Sequence, residues 1–175
     1  MYLTSCKKII FVTGGARSGK STFALKEASK ISGKKAYIAT AEALDEEMKQ
    51  RIEDHKRQRG DDWVTYEEPL KIAELVEEIK GKYSVILIDC LTLWLSNLIH
   101  ADLNFKAEIG HLIPSLVTSH SSLVYIISNE VGMGIVPENE MARRFRDMAG
   151  LLNQKVAEVA DEVYMVVAGT PIKIK

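Results

Sequence analysis

Short runs of apolar residues alternate with helical patterns along most of the 175-residue chain. The runs predict buried β-strands at residues 8–13, 35–40, 83–89, 122–128 and 162–167, and a short last strand near 172–174. Strands that are apolar on both faces need cover on both faces, as in a parallel sheet whose strands are connected by helices. The pattern therefore predicts an α/β protein with a mainly parallel sheet and helices on both faces.

Helical spacing of apolar residues marks three of the segments between these strands. A helix is predicted over 69–80, with a proline in its first turn. A second helix, over 139–161, has a predicted core-facing stripe formed by Met141, Phe145, Met148, Leu152, Val156 and Val159. Residues 91–121 are also helical in pattern, but Gly110 and Pro114 predict that they form two or more pieces.

Composition and charge narrow the class of protein. A hydrophobic content of 46% and a charged content of 27% are typical of a soluble globular protein, and the length fits one domain, residues 1–175. A net charge of −1 provides no basic field for nucleic acid or an anionic membrane. No run of 18 uncharged apolar residues and no apolar signal core near the N-terminus is present, so we expect a cytoplasmic protein without a membrane span.

The cysteines and most of the histidines give no sign of chemistry. Cys6 and Cys90 do not have the spacing of metal ligands, and we expect both to be packing residues. His100, His111 and His120 lie in polar or interrupted helical contexts and are expected at the surface.

The glycine-rich segment after the first predicted strand carries the strongest chemical signal. Residues 14–21 match the phosphate-loop pattern G-x-x-x-x-G-K-[ST], and a helix with apolar residues Phe23, Ala24, Ala28 and Ile31 follows. Small residues let successive backbone N–H groups surround a phosphate, and the helix start adds the positive end of its dipole. We expect nucleotide contacts from Gly14, Gly15, Ala16, Arg17, Ser18, Gly19, Lys20 and Ser21, with Lys20 as a catalytic cation. The expected fold is a three-layer, RecA-like phosphate-loop NTPase.

Polar residues directly follow three other predicted strands. Thr40 follows the second strand, Asp89 closes the third, and Asn129-Glu130 follows the fourth. Ligands of open α/β sheets bind beyond the carboxyl ends of the strands, so these residues belong at the edge that carries the phosphate loop. We expect Mg²⁺ to be held by the Ser21 hydroxyl and the Asp89 carboxylate. The alternative is that Asp89 is a structural residue at a strand end.

Residues 45–59 predict a polar helix with Arg51, His55 and Arg59 at positions i, i+4 and i+8 of one face. One interpretation is a solvated helix of mixed charge. The other is that the arginines bind phosphates while His55 acts as nucleophile or base, since neighbouring cations depress the pKa of an imidazole and keep it neutral. The spacing alone does not choose between them.

A set of segments occurs in a specific order along the chain. They are Gly14–Ser21, Tyr37–Ala41, Asp45-x-Glu47-Met48, Arg51-Ile52-x-x-His55-Lys56, Asp89–Asn97 and Ser128–Pro137, with Ala142–Asp147 and Pro171–Lys175 after them. This set closely resembles the bifunctional adenosylcobinamide kinase / adenosylcobinamide-phosphate guanylyltransferase family of cobalamin biosynthesis. The phosphate loop is generic, but the ordered set is specific and spans the whole chain.

The resemblance implies two reactions. ATP or GTP phosphorylates the aminopropanol hydroxyl of adenosylcobinamide, and GMP is then transferred from GTP to that phosphate through a covalent histidine–GMP, giving adenosylcobinamide-GDP. His55 is the position that matches the histidine. By the same matching, the guanine nucleotide is held at Ile38, Ala39, Thr40, Lys56, Arg57, Gln58, Arg59, Glu67 and Asp89. Family members assemble as trimers, which implies a homotrimer, and Gly60 stands where many members have proline.

Other interpretations keep the phosphate loop. The chain could be a kinase of another small metabolite, a family member with one of the two activities, or a nucleotide-binding regulatory module without transfer activity. None of these explains His55 between Arg51 and Arg59. The glycine-punctuated segment 129–139 is either a plain strand-to-helix connection or a partly apolar wall for the corrinoid.

Overall fold

The computed structural model describes residues 8–42, 60, 62–118 and 122–175. Its strands are β1 Lys8–Thr13, β2 Lys35–Ala39, β3 Trp63–Glu67, β4 Val85–Asp89, β5 Leu123–Ile127, β6 Glu162–Val167 and β7 Thr170–Lys173. Its helices are α1 Lys20–Ser29, α2 Ile72–Ile79, α3 Leu91–His100, α4 Phe105–Thr118 and α5 Glu140–Val159.

The strands form one sheet in the order β3-β2-β4-β5-β1-β6-β7. The five pairings from β3 to β6 are parallel, and β7 returns antiparallel to β6. Ala168 and Gly169 connect these last two strands with φ values of 49° and 79°. Positive φ at both central residues is typical of the two-residue hairpin turn whose twist matches that of the strands.

Helices cover both faces of the sheet, as the apolar runs predict. Ile10 and Val12 of β1 pack on the face that carries α1, whereas Ile9 and Phe11 pack on the face that carries the other four helices. Successive side chains of a strand point to opposite faces, so one apolar run contributes to two cores. The expected three-layer arrangement with a mainly parallel sheet is confirmed.

The pattern of apolar runs missed strand β3. Residues 63–67 pair in parallel with β2 at the edge of the sheet, and their side chains are half-buried or exposed. An edge strand needs less apolar surface than a central one, and its aromatic and β-branched composition was the available signal. The last strand lies at Thr170–Lys173, slightly before the predicted 172–174.

The break in residues 91–121 lies elsewhere than predicted. Gly110 and Pro114 are both inside α4, and the chain turns at 101–104 instead. Asn104 caps the N-terminus of α4, since its side-chain oxygen accepts hydrogen bonds from the backbone N–H groups of Lys106 and Ala107. Proline removes one helical hydrogen bond, and the packing of Leu112 and Leu116 in the core outweighs that loss.

Three smaller expectations are settled by burial. Met141 is exposed rather than in the core-facing stripe of α5, and Ile31 lies beyond the end of α1 and is also exposed. Cys90 is buried, and burial raises the pKa of its thiol to about 12, so it is a neutral packing group as predicted. His100 and His111 are exposed, while Cys6 and His120 lie outside the described residues. None of the helices in the described part of the chain has the length and apolarity of a bilayer span.

Candidate functional site

The phosphate loop leaves β1 and enters α1 through three residues with positive φ. Gly14, Arg17 and Gly19 have φ values of 147°, 55° and 95°. The Ser18 backbone N–H donates to the Gly15 carbonyl at 3.3 Å, and the Phe23 N–H donates to the Gly19 carbonyl at 2.9 Å. Glycine is favoured at such positions because it has no Cβ, so two of the motif's glycines are required by backbone geometry.

The backbone of the β6–β7 hairpin contacts the phosphate loop. The phosphate-loop sequence motif does not predict this contact. The Gly169 N–H donates to the Ser18 carbonyl at 2.9 Å. A Cβ on Gly14 would lie 2.4 Å from the Val166 carbonyl oxygen, and a Cβ on Gly19 would lie 3.2 Å from the Gly169 Cα. The loop therefore lies directly against the backbone of the hairpin, and only glycine permits this approach.

Lys20 is the first residue of α1 and its side chain is buried. Its ammonium group donates to the Gly15 carbonyl at 2.5 Å. Burial lowers the pKa of Lys20, and the nearby Asp89 carboxylate opposes that change. The cation is thus placed inside the loop, on the side of Asp89, where phosphate oxygens of a nucleotide would meet it.

Two hydroxyl groups near the loop are buried and have no hydrogen-bond partner within the described residues. They are Ser18 Oγ in the loop and Thr13 Oγ1 at the end of β1. Buried hydroxyls in folded proteins almost always have a partner. Unpaired polar atoms at this place fit a loop whose hydrogen-bond partners come from a bound ligand.

The pairing register of the sheet places the carboxyl ends of β2, β3 and β4 side by side. Ala39 of β2 pairs with Glu67 of β3 on one side and with Asp89 of β4 on the other. The Tyr37 hydroxyl donates to Asp89 Oδ2 at 2.8 Å, which orients the carboxylate. Thr40 follows β2 and is fully buried, and its N–H donates to the Asp89 carbonyl at 3.1 Å. The predicted residues Ala39, Thr40, Glu67 and Asp89 therefore share the carboxyl edge.

Ser21 and Asp89 are the predicted metal ligands. Ser21 lies in the first turn of α1 and is half-buried. The two side chains offer a hydroxyl and a carboxylate, which are hard oxygen donors suited to Mg²⁺. Among the described residues, no three His, Cys, Asp or Glu side chains are grouped so that they could hold a metal ion. A pair of protein ligands fits Mg²⁺, which usually takes its remaining ligands from water and phosphate oxygens.

A polar network behind the carboxyl edge was not predicted. Thr40 Oγ1 donates to the Cys90 carbonyl at 2.7 Å and accepts from the Cys90 N–H at 2.8 Å. The Asn97 side chain donates to the carbonyls of Thr40 at 2.8 Å and Pro69 at 3.0 Å. The polar residue Asn97 on the mostly apolar helix α3 was the available signal. The network fixes the ends of β2 and β4 relative to the segment after β3.

A second network fixes the end of β5. The Thr92 hydroxyl accepts from the Asn129 N–H at 2.7 Å, and the Asn153 side chain donates to the Asn129 carbonyl at 3.2 Å. The Glu130 N–H donates to the Gly14 carbonyl at 2.9 Å. The segment after β5 is therefore hydrogen-bonded to the first glycine of the phosphate loop.

The structure brings most, but not all, of the predicted site residues together. Gly14 to Ser21 form the loop, and Thr40, Glu67 and Asp89 lie along the same edge. The Ile38 side chain is buried in the core, so any ligand contact from it must come from its backbone. Six predicted residues lie outside the described residues: Arg51, His55, Lys56, Arg57, Gln58 and Arg59.

The strand order and the glycine-rich loop define the class as a RecA-like phosphate-loop NTPase fold. Solved structures share it: the chain aligns with the RadB recombinase at a TM-score of 0.53 and 16% identity, covering 91% of this chain and 74% of that one. It aligns with a KaiC-like protein of Pyrococcus horikoshii at a TM-score of 0.52 and 12% identity, covering 91% and 70%. At these identities the likeness shows the fold alone.

Sequence comparison identifies the family. The model of the cobinamide kinase / cobinamide phosphate guanyltransferase family matches residues 10–174. The chain is 40% identical over 185 residues to the bifunctional adenosylcobalamin biosynthesis protein CobU of Escherichia coli, covering 95% of this chain and 99% of that protein. It is 40% identical over 166 residues to the corresponding CobP of Pseudomonas aeruginosa, covering 94% and 95%. This chain belongs to that enzyme family, as the ordered motifs predict.

Proposed function

We propose that this protein phosphorylates adenosylcobinamide with ATP or GTP and then transfers GMP from GTP to adenosylcobinamide phosphate. The product is adenosylcobinamide-GDP, and the transfer passes through a covalent GMP on His55. The observation that carries this proposal is a phosphate loop with Lys20, Ser21 and Asp89 at one sheet edge, in a chain that matches the family along residues 10–174. Family membership supports both activities, because the family's description names both.

In the kinase step the chain's own groups bind and orient the triphosphate. Backbone N–H groups of residues 14–21 and the start of α1 receive its phosphates, and the Lys20 ammonium offsets charge that develops on the transferred group. The hydroxyl oxygen of the substrate bonds to the γ-phosphorus as the bond to the β-phosphate oxygen breaks, so the nucleoside diphosphate leaves and the hydroxyl proton passes to water. Ser21 and Asp89 would hold Mg²⁺, which would neutralise part of the negative charge of the phosphates.

In the second step a neutral imidazole of His55 bonds to the α-phosphorus of GTP, and pyrophosphate leaves. A phosphate oxygen of adenosylcobinamide phosphate then bonds to the same phosphorus, and the phosphorus–nitrogen bond breaks. Covalent catalysis of this kind divides one difficult displacement into two easier ones. We assign Arg51, Lys56, Arg57, Gln58 and Arg59 to the guanine nucleotide together with Ile38, Ala39, Thr40, Glu67 and Asp89.

The resemblance supports the trimer proposed here, and the length, the apolar pattern and the net charge support the other three proposals. We propose one domain over residues 1–175, a homotrimer, a cytoplasmic location and no nucleic-acid partner. Size-exclusion chromatography with multi-angle light scattering on the purified protein tests the trimer, since the mass of a monomer or dimer at micromolar concentration would contradict it.

Mass spectrometry of the intact protein after incubation with GTP and Mg²⁺ tests the transfer. We expect one GMP adduct that maps to His55, is labile in acid and is more durable in alkali, as a bond between phosphorus and imidazole nitrogen should be. His55→Ala should form no adduct and lose the guanylyltransferase reaction, yet keep kinase activity, because phosphoryl transfer to a hydroxyl requires no histidine nucleophile. His111→Ala, at an exposed histidine of α4, is the matched control and should behave as the wild type.

Three results would contradict the assignment. An adduct on Lys56 or on a serine would move the nucleophile to another residue. Equal loss of both reactions in His55→Ala would make His55 a binding or structural residue. Binding of GTP without any adduct or turnover would favour a regulatory nucleotide-binding module.

A further inference from the structure

An exposed apolar surface lies on the segment between β5 and α5. Four large exposed apolar side chains of this segment and one from the first turn of α5 make up what we call the apolar platform: Val131, Met133, Ile135, Val136 and Met141. Ile135 is 97% exposed and Met133 is 74% exposed. Large apolar side chains grouped at the surface are uncommon unless they serve binding, whereas single exposed ones need no explanation.

The platform begins at the phosphate loop. The Glu130 N–H donates to the Gly14 carbonyl at 2.9 Å, and Glu130 Oε1 accepts from the Gly132 N–H at 2.7 Å. The first apolar residue of the platform, Val131, lies between these two anchored positions. A molecule lying on the platform would therefore reach the phosphate loop without crossing another element of the sheet.

The far end of the platform is also anchored. Asn139 caps α5, because its side-chain oxygen accepts from the Ala142 N–H at 3.0 Å. The Arg143 guanidinium donates to the Pro137 carbonyl at 3.0 Å and also to the Glu138 carbonyl. Both ends of the segment are thus fixed by hydrogen bonds while its apolar side chains point away from the core, which is unlike a plain connection.

We propose that the apolar platform binds the corrinoid ring of the substrate, with the aminopropanol arm directed to the phosphate loop; this rests on the proposed function. A corrinoid is a broad, flat macrocycle with many carbon–hydrogen groups, and an open surface suits it better than an enclosed pocket. Met133 and Met141 have flexible, polarisable side chains that adapt to an irregular ligand. Continuity with Gly14 selects the corrinoid as occupant, because the phosphorylated hydroxyl and the macrocycle belong to one molecule.

The double variant Met133→Ser/Ile135→Ser tests the platform. We expect its KM for adenosylcobinamide in the kinase reaction and its Kd for cobinamide in equilibrium dialysis to rise tenfold or more, since a hydrophobic site loses about tenfold or more per group removed. Its KM for nucleotide and its rate of GMP adduct formation should not change, because neither involves the corrinoid ring. The control is Leu103→Ser, an apolar residue 43% exposed in the turn between α3 and α4, which should match the wild type.

Several outcomes would overturn the platform. Unchanged cobinamide affinity in the double variant would contradict binding of the corrinoid ring at the platform. A loss of GMP adduct formation as large as the loss of cobinamide affinity would also contradict it, because the segment would then be a structural support of the phosphate loop. A smaller oligomer mass would show that a second copy covers the surface instead. If the wild type forms no adduct yet binds cobinamide in a platform-dependent way, the proposed function fails and the platform stands.

Discussion

Replacing Gly14 by alanine tests how closely the phosphate loop lies against the sheet. The added Cβ would lie 2.4 Å from the Val166 carbonyl oxygen and 2.9 Å from Ser18 Oγ, whereas ordinary van der Waals contact begins near 3.4 Å. The Ser18 side chain can rotate away. The Val166 carbonyl cannot, because it belongs to the backbone of β6, which pairs with β1 and β7.

The size of the effect follows from three contributions. Overpacking of this kind destabilises a fold by about 1–3 kcal/mol. A side chain at the Gly14 φ of 147° adds backbone strain of about 1–3 kcal/mol. Alanine also restricts the unfolded chain, which stabilises the folded state by about 0.4–1 kcal/mol in the opposite direction. The two unfavourable contributions dominate, and we expect a net loss of about 1–5 kcal/mol in the free energy of unfolding.

Urea unfolding followed by circular dichroism measures this loss, and calorimetric titration with GTP measures its effect on binding. Gly15→Ala is the matched control, since it makes the same chemical change one residue later. No atom lies within 4 Å of a Cβ built on Gly15, and its φ is not in the left-handed region. The control should therefore unfold within about 1 kcal/mol of the wild type. In Gly14→Ala we also expect weaker GTP binding, because the loop must move away from β6.

An equal free energy of unfolding for the two variants would refute this reasoning. It would mean that the loop can move away from β6 without a loss of stability. The close contact between Gly14 and Val166 would then not determine the loop's conformation. Weaker GTP binding in Gly15→Ala alone would leave the stability argument intact, because that Cβ faces open space on the exposed side of the loop.

Three further predictions concern charge. Lys20→Ala should lower both the kinase and the guanylyltransferase rate by about 10²–10³, since one preorganised cation is removed while the loop backbone remains, and near-normal rates would exclude the loop as the reaction site. Asp89→Asn preserves shape but should raise the Mg²⁺ concentration needed for half-maximal activity, and an unaltered Mg²⁺ dependence would make Asp89 a structural residue. Hydrogen bonds from Lys173, Lys8 and Tyr164 lower the pKa of Glu162 to about 2 from its ordinary 4.5. The folded state therefore holds this charge to lower pH than the unfolded state does, so the stabilisation is present above about pH 4.5 and is lost as the pH falls towards 2. Both lysines are partly exposed, so Glu162→Gln should lower the free energy of unfolding by only about 1–2 kcal/mol at pH 7. A difference that is as large at pH 2.5 as at pH 7 would contradict the ion-pair explanation.

Local patterns in the sequence were sufficient for the architecture and the chemical class. The apolar runs predicted the central strands because a buried parallel strand needs apolar residues on both faces. Such a strand therefore appears in the sequence as a continuous run of apolar residues. The pattern of residues 14–21 predicted the phosphate loop because glycine, lysine and serine are each required at a fixed spacing. The ordered motifs predicted the family that the comparisons identify. The roles of His55 and its neighbouring arginines remain predictions.

Features that depend on distant segments could not be predicted in the same way. Edge strand β3 was missed because half-exposed strands carry a weak apolar signal, and the break at 101–104 was misplaced because core packing holds α4 together through Pro114. Only the register of three strands places Glu67, Ala39 and Asp89 side by side. Only the return of β6 beside β1, with the hairpin to β7 on its outer side, places Val166 and Gly169 against a loop that lies about 150 residues earlier in the chain. The sequence by itself determined which groups the protein has for phosphate chemistry. The tertiary structure decided which backbone supports these groups and which apolar side chains stay at the surface. These features could not be predicted locally, because contacts between distant residues produce no periodic pattern in the sequence.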